Sequence, residues 1–252
     1  MTLPDIFVEG DTEKQVVVYL LKRILDIEPD QAWEQKLRAQ KSGKQRIAGG
    51  IQSLGPKVGV EPVRCLVMRD LDEHEGETLD RVRQSVEDAV ARLLEGRGYD
   101  QKSAALQVHH DFPNVFTSHI REPDLRLALH IAHYPPIPGL SGPFTKTTTD
   151  DYILALAFRP QTALNLLHEI GWDSVAGDQI VHKVREEVPD LLRKNGILMQ
   201  EAKDYVRVYL ATVQWGMSPA VFAGKLLAHA DEDEIGRVFA PLIAALRGSD
   251  KV

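Results

Sequence analysis

The sequence predicts an α/β protein in which a mostly parallel sheet, flanked by helices, is followed by an all-helical carboxyl-terminal part. Three observations support this prediction. Residues 63–68 form an almost continuous apolar run, typical of a strand buried on both faces of a parallel sheet. Strand-like and helix-like segments alternate through the first half of the chain, as they do in βαβ units. Beyond Asp150 the segments have helical spacing and are punctuated by Pro or Gly.

The first half opens with a short apolar strand and a helix, and the same order returns after residue 62. We predict extended segments at residues 5–8, 63–68, 104–109 and 125–132, and helices at residues 13–25, 44–54 and 79–94. Residues 33–39 have no clear type. These elements make up a predicted first domain at residues 1–135.

The second half reads as helical throughout. We predict helices at residues 151–158, 161–170, 179–194, 201–213, 219–230 and 233–246, which make up a helical domain at residues 150–250. Between the two halves, residues 134–150 are rich in Pro, Gly and Thr, so helix cannot persist there. This segment is the predicted domain boundary or a lid.

The composition is that of an ordinary soluble globular protein, with 252 residues, 43% hydrophobic and 27% charged. No apolar run approaches the roughly 20 residues that span a bilayer, and the amino terminus lacks a secretory signal, so we expect a cytoplasmic protein without a membrane partner. A single cysteine, Cys65, excludes an internal disulfide and a multi-Cys zinc cluster. The net charge of -7 argues against non-specific coating of nucleic acid but allows a local basic groove.

An acidic residue, Glu9, ends the first predicted strand. Gly10 then permits a tight turn, and Thr12 with Gln15 fits the capping box that begins a helix. Gly10 and the capping box explain the turn and the helix. They do not explain the acid at the strand end, which is where ligands bind in open parallel sheets.

The second apolar strand also ends in acids, Asp70 and Asp72. Because side chains alternate along a strand, both carboxylates are expected on one side and Leu71 on the other. Adjacent carboxylates repel each other, and a hard divalent cation with oxygen ligands relieves that repulsion. If the two strands are neighbours, Glu9 joins the pair, and the three acids predict a site for Mg²⁺ or Mn²⁺ that serves phosphate chemistry. The alternative is a solvated acidic turn.

Two short motifs, VEGDTE at residues 8–13 and LVMRDLDEH at residues 66–74, resemble those of the Toprim domain. Topoisomerases, primases, maturase ribonucleases and OLD-family nucleases share this domain. The second acid four residues after the first, Glu13, makes the chain most similar to OLD-family and small stand-alone Toprim nucleases of bacterial anti-phage defence. The resemblance covers roughly residues 4–135 and implies a Toprim-like sheet there.

The resemblance also implies a role for each acid. Glu9 matches the glutamate that acts as general base or metal ligand, and Asp70 with Asp72 matches the metal-binding pair. Glu13 matches the additional acid that helps to hold a second metal in OLD-type nucleases. Its alternative is an ordinary first-turn acid favoured by the helix dipole.

OLD-like members also use a later lysine that opens a helix and steadies transition-state charge. Lys203, in the sequence EAKDYVRVYLA, is the nearest match, and Lys146 in the Thr-rich segment competes with it. The alternative for Lys203 is a solvated residue on an amphipathic helix.

These features predict a divalent-metal-dependent nuclease that hydrolyses phosphodiester bonds in DNA or RNA, as the effector of a phage-defence system if the resemblance holds. The alternative is a non-catalytic Toprim-like subunit that docks a partner ATPase, because the chain has no Walker motif of its own. Three other activities fit the sequence less well. Topoisomerase-type transesterification needs a nucleophilic tyrosine, and none of the six Tyr lies in a recognisable nucleophile motif. One Cys cannot supply the zinc module of primases, and an aspartyl phosphatase would place the D-x-D on the first strand. The oligomeric state is left open, a homo-oligomer included.

Two weaker patterns remain. The stretch 34–57 is locally basic and could contact phosphates, although a solvated loop explains it equally well; its charged residues are Glu34, Lys36, Arg38, Lys41, Lys44, Arg46 and Lys57. Several histidines show no metal-site spacing that we can identify and are interpreted as structural: His109, His110, His119, His130 and His133.

Overall fold

The computed structural model describes residues 3–39, 44–138, 140, 144, 146–213 and 216–248. In this part of the chain five strands form one sheet in the order β1-β2-β5-β4-β3. The strands are β1 (Asp5–Phe7), β2 (Val63–Arg69), β3 (Gln107–Val108), β4 (Val115–Ile120) and β5 (Leu125–Ile131). β1, β2 and β5 pair in parallel, and β4 is antiparallel to both β5 and β3, so four of these five strands run in one direction. The α/β class and the mostly parallel sheet are as predicted.

Helices make up most of the remaining described chain. They are α1 (Asp11–Arg23), α2 (Gln31–Ala39), α3 (Lys44–Gln52), α4 (Leu79–Glu95), α5 (Thr149–Ala157), α6 (Pro160–Glu169), α7 (Gly177–His182), a π-helical stretch (Lys183–Glu187), α8 (Val188–Lys194), α9 (Ala202–Thr212), α10 (Pro219–His229), α11 (Glu232–Val238) and α12 (Ala240–Gly248). The predicted helices of the first half are confirmed as α1, α3 and α4, and residues 33–39 belong to α2. None of the described helices has both the length and the apolar character that crossing a bilayer requires.

Strand β2 is buried on both faces of the sheet, as its apolar sequence predicts. Leu66 and Met68 belong to a hydrophobic core that α1 and the carboxyl-terminal helices cover, whereas Cys65 and Val67 belong to a second core beneath α3 and α4. Cys65 is fully buried, which fits its interpretation as a small apolar residue. Because helices cover both faces, the strand ends are where such a sheet offers space for a ligand.

The carboxyl-terminal helices pack directly on the sheet. Tyr152 of α5 and Leu242 of α12 lie in the same hydrophobic core as Ile6 and Leu66. In the described residues from 149 onwards every regular element is helical, which confirms the prediction that strands are absent there. The helices and the sheet share this core, and the division into domains at residues 1–135 and 150–250 stays a prediction.

Three segments differ from the sequence prediction. The predicted strand 104–109 is mostly irregular, because a 3₁₀ turn occupies Gln101–Ala104 and β3 has only two residues. The sequence analysis missed β4, whose middle residues are polar and only partly buried. The predicted helix 233–246 is two helices: Phe239 ends α11, and Pro241, which lacks a backbone N–H, lies in the first turn of α12.

Gly177 begins α7 at a close approach to α6. A Cβ at this position would lie 1.9 Å from the carbonyl oxygen of Pro160 and 2.8 Å from the backbone nitrogen of Leu164. Because both are backbone atoms, α6 would have to move, and we expect Gly177→Ala to lower the free energy of unfolding by about 3 kcal/mol or more. Urea denaturation measures this change.

Gly236 in α11 provides the matched control, because a Cβ there would have nothing within 4 Å. Gly236→Ala should raise the free energy of unfolding by about 0.5 to 1 kcal/mol, since glycine is a poor helix former. Equal stability of the two variants would contradict the close packing of α6 on α7.

Candidate metal centre

Glu9 lies at the carboxyl end of β1, beside the end of β2. The two strands are parallel neighbours with Phe7 opposite Val67, so their ends meet at the same edge of the sheet. Oε1 of Glu9 accepts hydrogen bonds from the backbone nitrogen of Asp70 at 3.2 Å and from Nε of Arg69 at 2.6 Å. The acids that end the two strands are therefore adjacent.

Asp70, Leu71 and Asp72 extend β2 beyond its last paired residue. Leu71 is buried in the core beneath α4, on the same side as Val67, so the side chains alternate as expected. Oδ1 of Asp70 accepts a hydrogen bond from the backbone nitrogen of Thr149 at 3.3 Å. The contacts of this extension thus reach the start of α5, far away in the sequence.

An isolated antiparallel bridge holds the chain before α5 against this extension. Leu71 N donates to Thr147 O at 2.9 Å, and Thr147 N donates to Leu71 O at 3.0 Å. This bridge brings the chain around Thr147, with Lys146 and Asp150, to the two aspartates. The Thr-rich segment is therefore part of the centre.

Glu13 is buried in the first turn of α1, with 8% of the residue exposed. The predicted capping box is wrong: Gly10 is the N-cap, and Thr12 already lies inside the helix. A Cβ on Gly10 would lie 2.9 Å from Oε2 of Glu13, so glycine leaves the space that this carboxylate occupies. Burial and the nearby charge of Asp150 raise the pKa of Glu13.

Asp150 is a site residue that the sequence analysis missed. It is 9% exposed, and among the described residues its Oδ1 has no hydrogen-bond partner. The neighbouring acid, Asp151, supplies the helix cap, since its Oδ2 accepts from Thr148 N at 2.7 Å. Burial raises the pKa of Asp150, and the charge of Lys203 in the first turn of α9 works in the opposite direction. The structure alone shows that Asp150 is buried without capping the helix, and this is the signal that marks it as a site residue.

The charges of three other acids act on Asp70. Burial and the charges of Glu13, Glu9 and Asp150 raise its pKa well above the ordinary value, against the opposing charge of Lys146. The metal-free group thus carries a like-charge repulsion that ionisation at neutral pH has to overcome.

Lys146 lies between Glu201 and Asp72. Its Nζ lies 3.3 Å from Oε2 of Glu201 and 4.0 Å from Oδ1 of Asp72. Burial works to lower the pKa of Lys146, but the charges of Glu201, Asp72 and Asp70 outweigh it, and the pKa is raised. Both lysines considered in the sequence analysis therefore lie beside the carboxylates, Lys146 next to Asp72 and Lys203 near Asp150.

A second missed feature supports the centre through an ion-pair network. Arg69 is 7% exposed and its guanidinium pairs with Glu77 at 3.0 Å as well as with Glu9. Glu77 also accepts a hydrogen bond from Asp72 N at 3.0 Å. The orientations of Glu9 and of the Asp72 backbone are thus coupled through Arg69 and Glu77.

The donor set fits a hard divalent cation. Glu13, Asp70 and Asp150 offer only carboxylate oxygens, and one of these oxygens has no partner among the described residues. No three of the carboxylates of this centre have ligand atoms within 4.8 Å of one another in the described chain. An ion held here would therefore keep several waters, as Mg²⁺ commonly does when it is bound through carboxylates.

Another group, which the sequence analysis set aside, does meet that distance. His109, His110 and Asp111 bring one ligand atom each within 4.8 Å of the others. These residues already contact one another, because His110 pairs with Asp111 at 2.7 Å and Nδ1 of His109 accepts from Asp111 N at 3.2 Å. His110 is 81% exposed. We therefore keep the carboxylate group as the candidate centre.

The basic stretch 34–57 is only partly described. Lys57 pairs with Asp5 at 2.7 Å, so it is engaged within the protein. Arg46 is exposed. The other positive residues of the stretch have side chains outside the described part of the chain: Lys36, Arg38, Lys41 and Lys44.

Comparison with known proteins gives a fold but no family. No protein-family model matches the chain, and no curated protein matches it. A crystal structure of the hypothetical protein PH0156 from Pyrococcus horikoshii OT3 is similar over 100% of both chains, with a TM-score of 0.54 and 16% sequence identity. This similarity supports the α/β fold of the whole chain.

Proposed function

We propose that the protein is a divalent-metal-dependent nuclease of the Toprim type, most similar to OLD-family enzymes, that hydrolyses phosphodiester bonds in DNA or RNA. The proposal rests on the grouping of Glu9, Glu13, Asp70 and Asp150 at one edge of the sheet. Buried like charges are unfavourable unless a cation accompanies them. Mg²⁺ or Mn²⁺ held by carboxylates is well suited to phosphodiester hydrolysis.

Four acids form the proposed ligand set. Asp70 is the central ligand, because the charges of the other acids act on it, and Glu13 with Asp150 completes one side. Asp72 extends the set towards Lys146. When bound, the ion would polarise a phosphate oxygen and lower the pKa of a water molecule.

The remaining groups position the reactants. Glu9, held by Arg69 and by the backbone nitrogen of Asp70, orients the attacking water as an acceptor of its proton. Lys203 and Lys146 stabilise the negative charge that develops on the phosphate oxygens in the transition state. The Toprim resemblance extends the proposal to a cytoplasmic effector of phage defence that acts with a partner ATPase.

A non-catalytic docking subunit is the second candidate, and a specific observation favours it. Three large apolar residues are exposed within eight positions near the end of α8: Leu191 (61%), Ile197 (54%) and Leu198 (65%). Exposed apolar residues that cluster mark protein interaction sites. A partner ATPase bound there would be compatible with either candidate.

Cleavage assays on plasmid, single-stranded DNA and tRNA test the proposed activity. We expect cleavage by the wild type with Mg²⁺ or Mn²⁺ and none with EDTA. Glu9→Gln keeps an acceptor oxygen but removes the charge that pairs with Arg69, and we expect a loss of about 100-fold or more in rate.

Glu95→Gln is the matched control, because Glu95 is exposed at the end of α4. It should cleave at the wild-type rate. A Glu9→Gln protein as active as wild type, or a wild type that is inert on every substrate, would replace the nuclease proposal with the docking subunit.

A further inference from the structure

We propose that Arg207, one helical turn from Lys203, forms a second phosphate subsite beside the carboxylate centre. This subsite binds the phosphate next to the scissile one, so the substrate is a nucleic-acid strand rather than an isolated phosphodiester. The inference rests on the proposed function and deepens it by assigning a second contact with the substrate strand.

The spacing of the two cations on α9 matches a strand of phosphates. Lys203 and Arg207 are four residues apart and lie on one face of the helix. They are separated by about 6 Å along its axis, which is comparable with the separation of consecutive phosphates in a strand. Nζ of Lys146 lies 3.3 Å from Oε2 of Glu201, the N-cap of α9, and 4.0 Å from Oδ1 of Asp72, so the start of α9 lies beside the centre.

Arg207 is available to bind an anion. Its side chain is 61% exposed, and its ion pair among the described residues, with Oδ1 of Asp204, is long at 3.5 Å. Exposed pairs of this kind contribute little stability, so a phosphate can displace it. A guanidinium also offers a planar fork of donors that matches phosphate oxygens.

Asp204 holds Arg207 in place without filling the subsite. Oδ2 of Asp204 accepts hydrogen bonds from Gln200 N at 2.9 Å and Glu201 N at 3.3 Å, as the cap of α9. Its other oxygen faces Arg207. The acid is therefore anchored by the helix cap and orients the guanidinium.

The arrangement of charges favours a strand over a small diester. Lys146 lies at the Asp72 side of the centre, and Lys203 lies at the Asp150 side. Arg207 lies one helical turn further along α9, where a neighbouring phosphate is the group it can reach.

Strand binding tests this subsite directly. We would measure fluorescence anisotropy of labelled dT12 and U12 with Ca²⁺ in place of Mg²⁺, over a range of salt concentrations. Arg207→Gln should weaken binding about tenfold and reduce the salt dependence by about one phosphate contact. The two strands report whether the subsite distinguishes DNA from RNA.

Two further variants serve as comparison and control for strand binding. Arg207→Lys keeps the charge but loses the planar fork of guanidinium donors, and it should bind the strands with intermediate affinity. Arg237→Gln is the matched control, because Arg237 is 64% exposed and pairs with Glu234 at the same i,i+3 spacing on α11. It should bind as wild type.

Hydrolysis of bis(p-nitrophenyl) phosphate separates the subsite from the reacting centre. This diester has a single phosphate, so Arg207→Gln should hydrolyse it as wild type does while losing activity on the strands. An equal loss on both substrates, or unchanged strand binding by Arg207→Gln, would overturn the subsite. If strand binding depends on Arg207 but neither substrate is hydrolysed, the subsite stands and the nuclease proposal fails.

Discussion

Asp70→Asn is expected to reduce Mg²⁺-dependent cleavage by about 100-fold or more, because it removes the charge of the central proposed ligand. The same substitution should stabilise the metal-free protein. The charges of Glu13, Glu9 and Asp150 disfavour an ionised Asp70, and a neutral amide relieves that repulsion. Asparagine retains an oxygen that can accept from Thr149 N. Cleavage rates with Mg²⁺ and urea denaturation in EDTA measure the two effects.

Asp173→Asn is the control for this substitution, since Asp173 is exposed in a turn of the helical part. It should change neither the rate nor the stability. A metal-free Asp70→Asn protein that is less stable than wild type would contradict the like-charge account. One that cleaves at the wild-type rate would exclude Asp70 from the centre.

The stability of the metal-free protein at neutral pH should fall as pH rises. Burial and like charges raise the pKa values of Asp70, Glu13 and Asp150 above their ordinary values of 3.8, 4.5 and 3.8. Between the ordinary and the raised values the folded protein binds more protons than the unfolded chain, so the free energy of unfolding decreases with pH. A carboxyl whose acid dissociation constant falls tenfold on folding changes the free energy of unfolding by about 1.4 kcal/mol across its titration. Denaturation in EDTA should therefore give a lower free energy of unfolding at pH 8 than at pH 5.5.

Mg²⁺ or Mn²⁺ should reverse much of this loss at pH 8. An ion that binds only the folded state stabilises it by about 2.7 kcal/mol at 100 times its dissociation constant. The stabilisation should be smaller at pH 5.5, because protons compete for the carboxylates. Asp151, whose pKa burial raises to about 7, supplies the helix cap and should keep its pH dependence with metal present.

NaCl at matched ionic strength and Asp70→Asn are the controls for the metal effect. The salt should not reproduce it, and the variant should show a smaller response to both pH and metal. Stability that rises with pH in EDTA, or a melting temperature unchanged by either metal, would show that the carboxylates do not form a cation site.

Local sequence was sufficient for the elements that build the sheet edge. The apolar run of β2 requires burial on both faces, and that burial favours a parallel neighbour such as β1. Since parallel strands end at the same edge, the proximity of Glu9 to Asp70 followed from their positions at the strand ends. β4 could not be recognised in the same way, because its polar and partly buried middle lacks a periodic signal.

The sequence by itself therefore determined the α/β class, most of the helices and the presence of acids at two strand ends, because each depends on patterns within about 20 residues. Only the tertiary structure brought Asp150 and Lys203 to these acids, through the Leu71–Thr147 bridge and the packing of the helical part on the sheet. No local signal distinguishes Asp150, which is buried with an unpartnered oxygen among the described residues, from Asp151, which caps the same helix. The burial of Asp150 beside these acids depends on tertiary contacts of the start of α5, such as that of Thr149 with Asp70, 79 positions away, and the order of residues does not display such contacts.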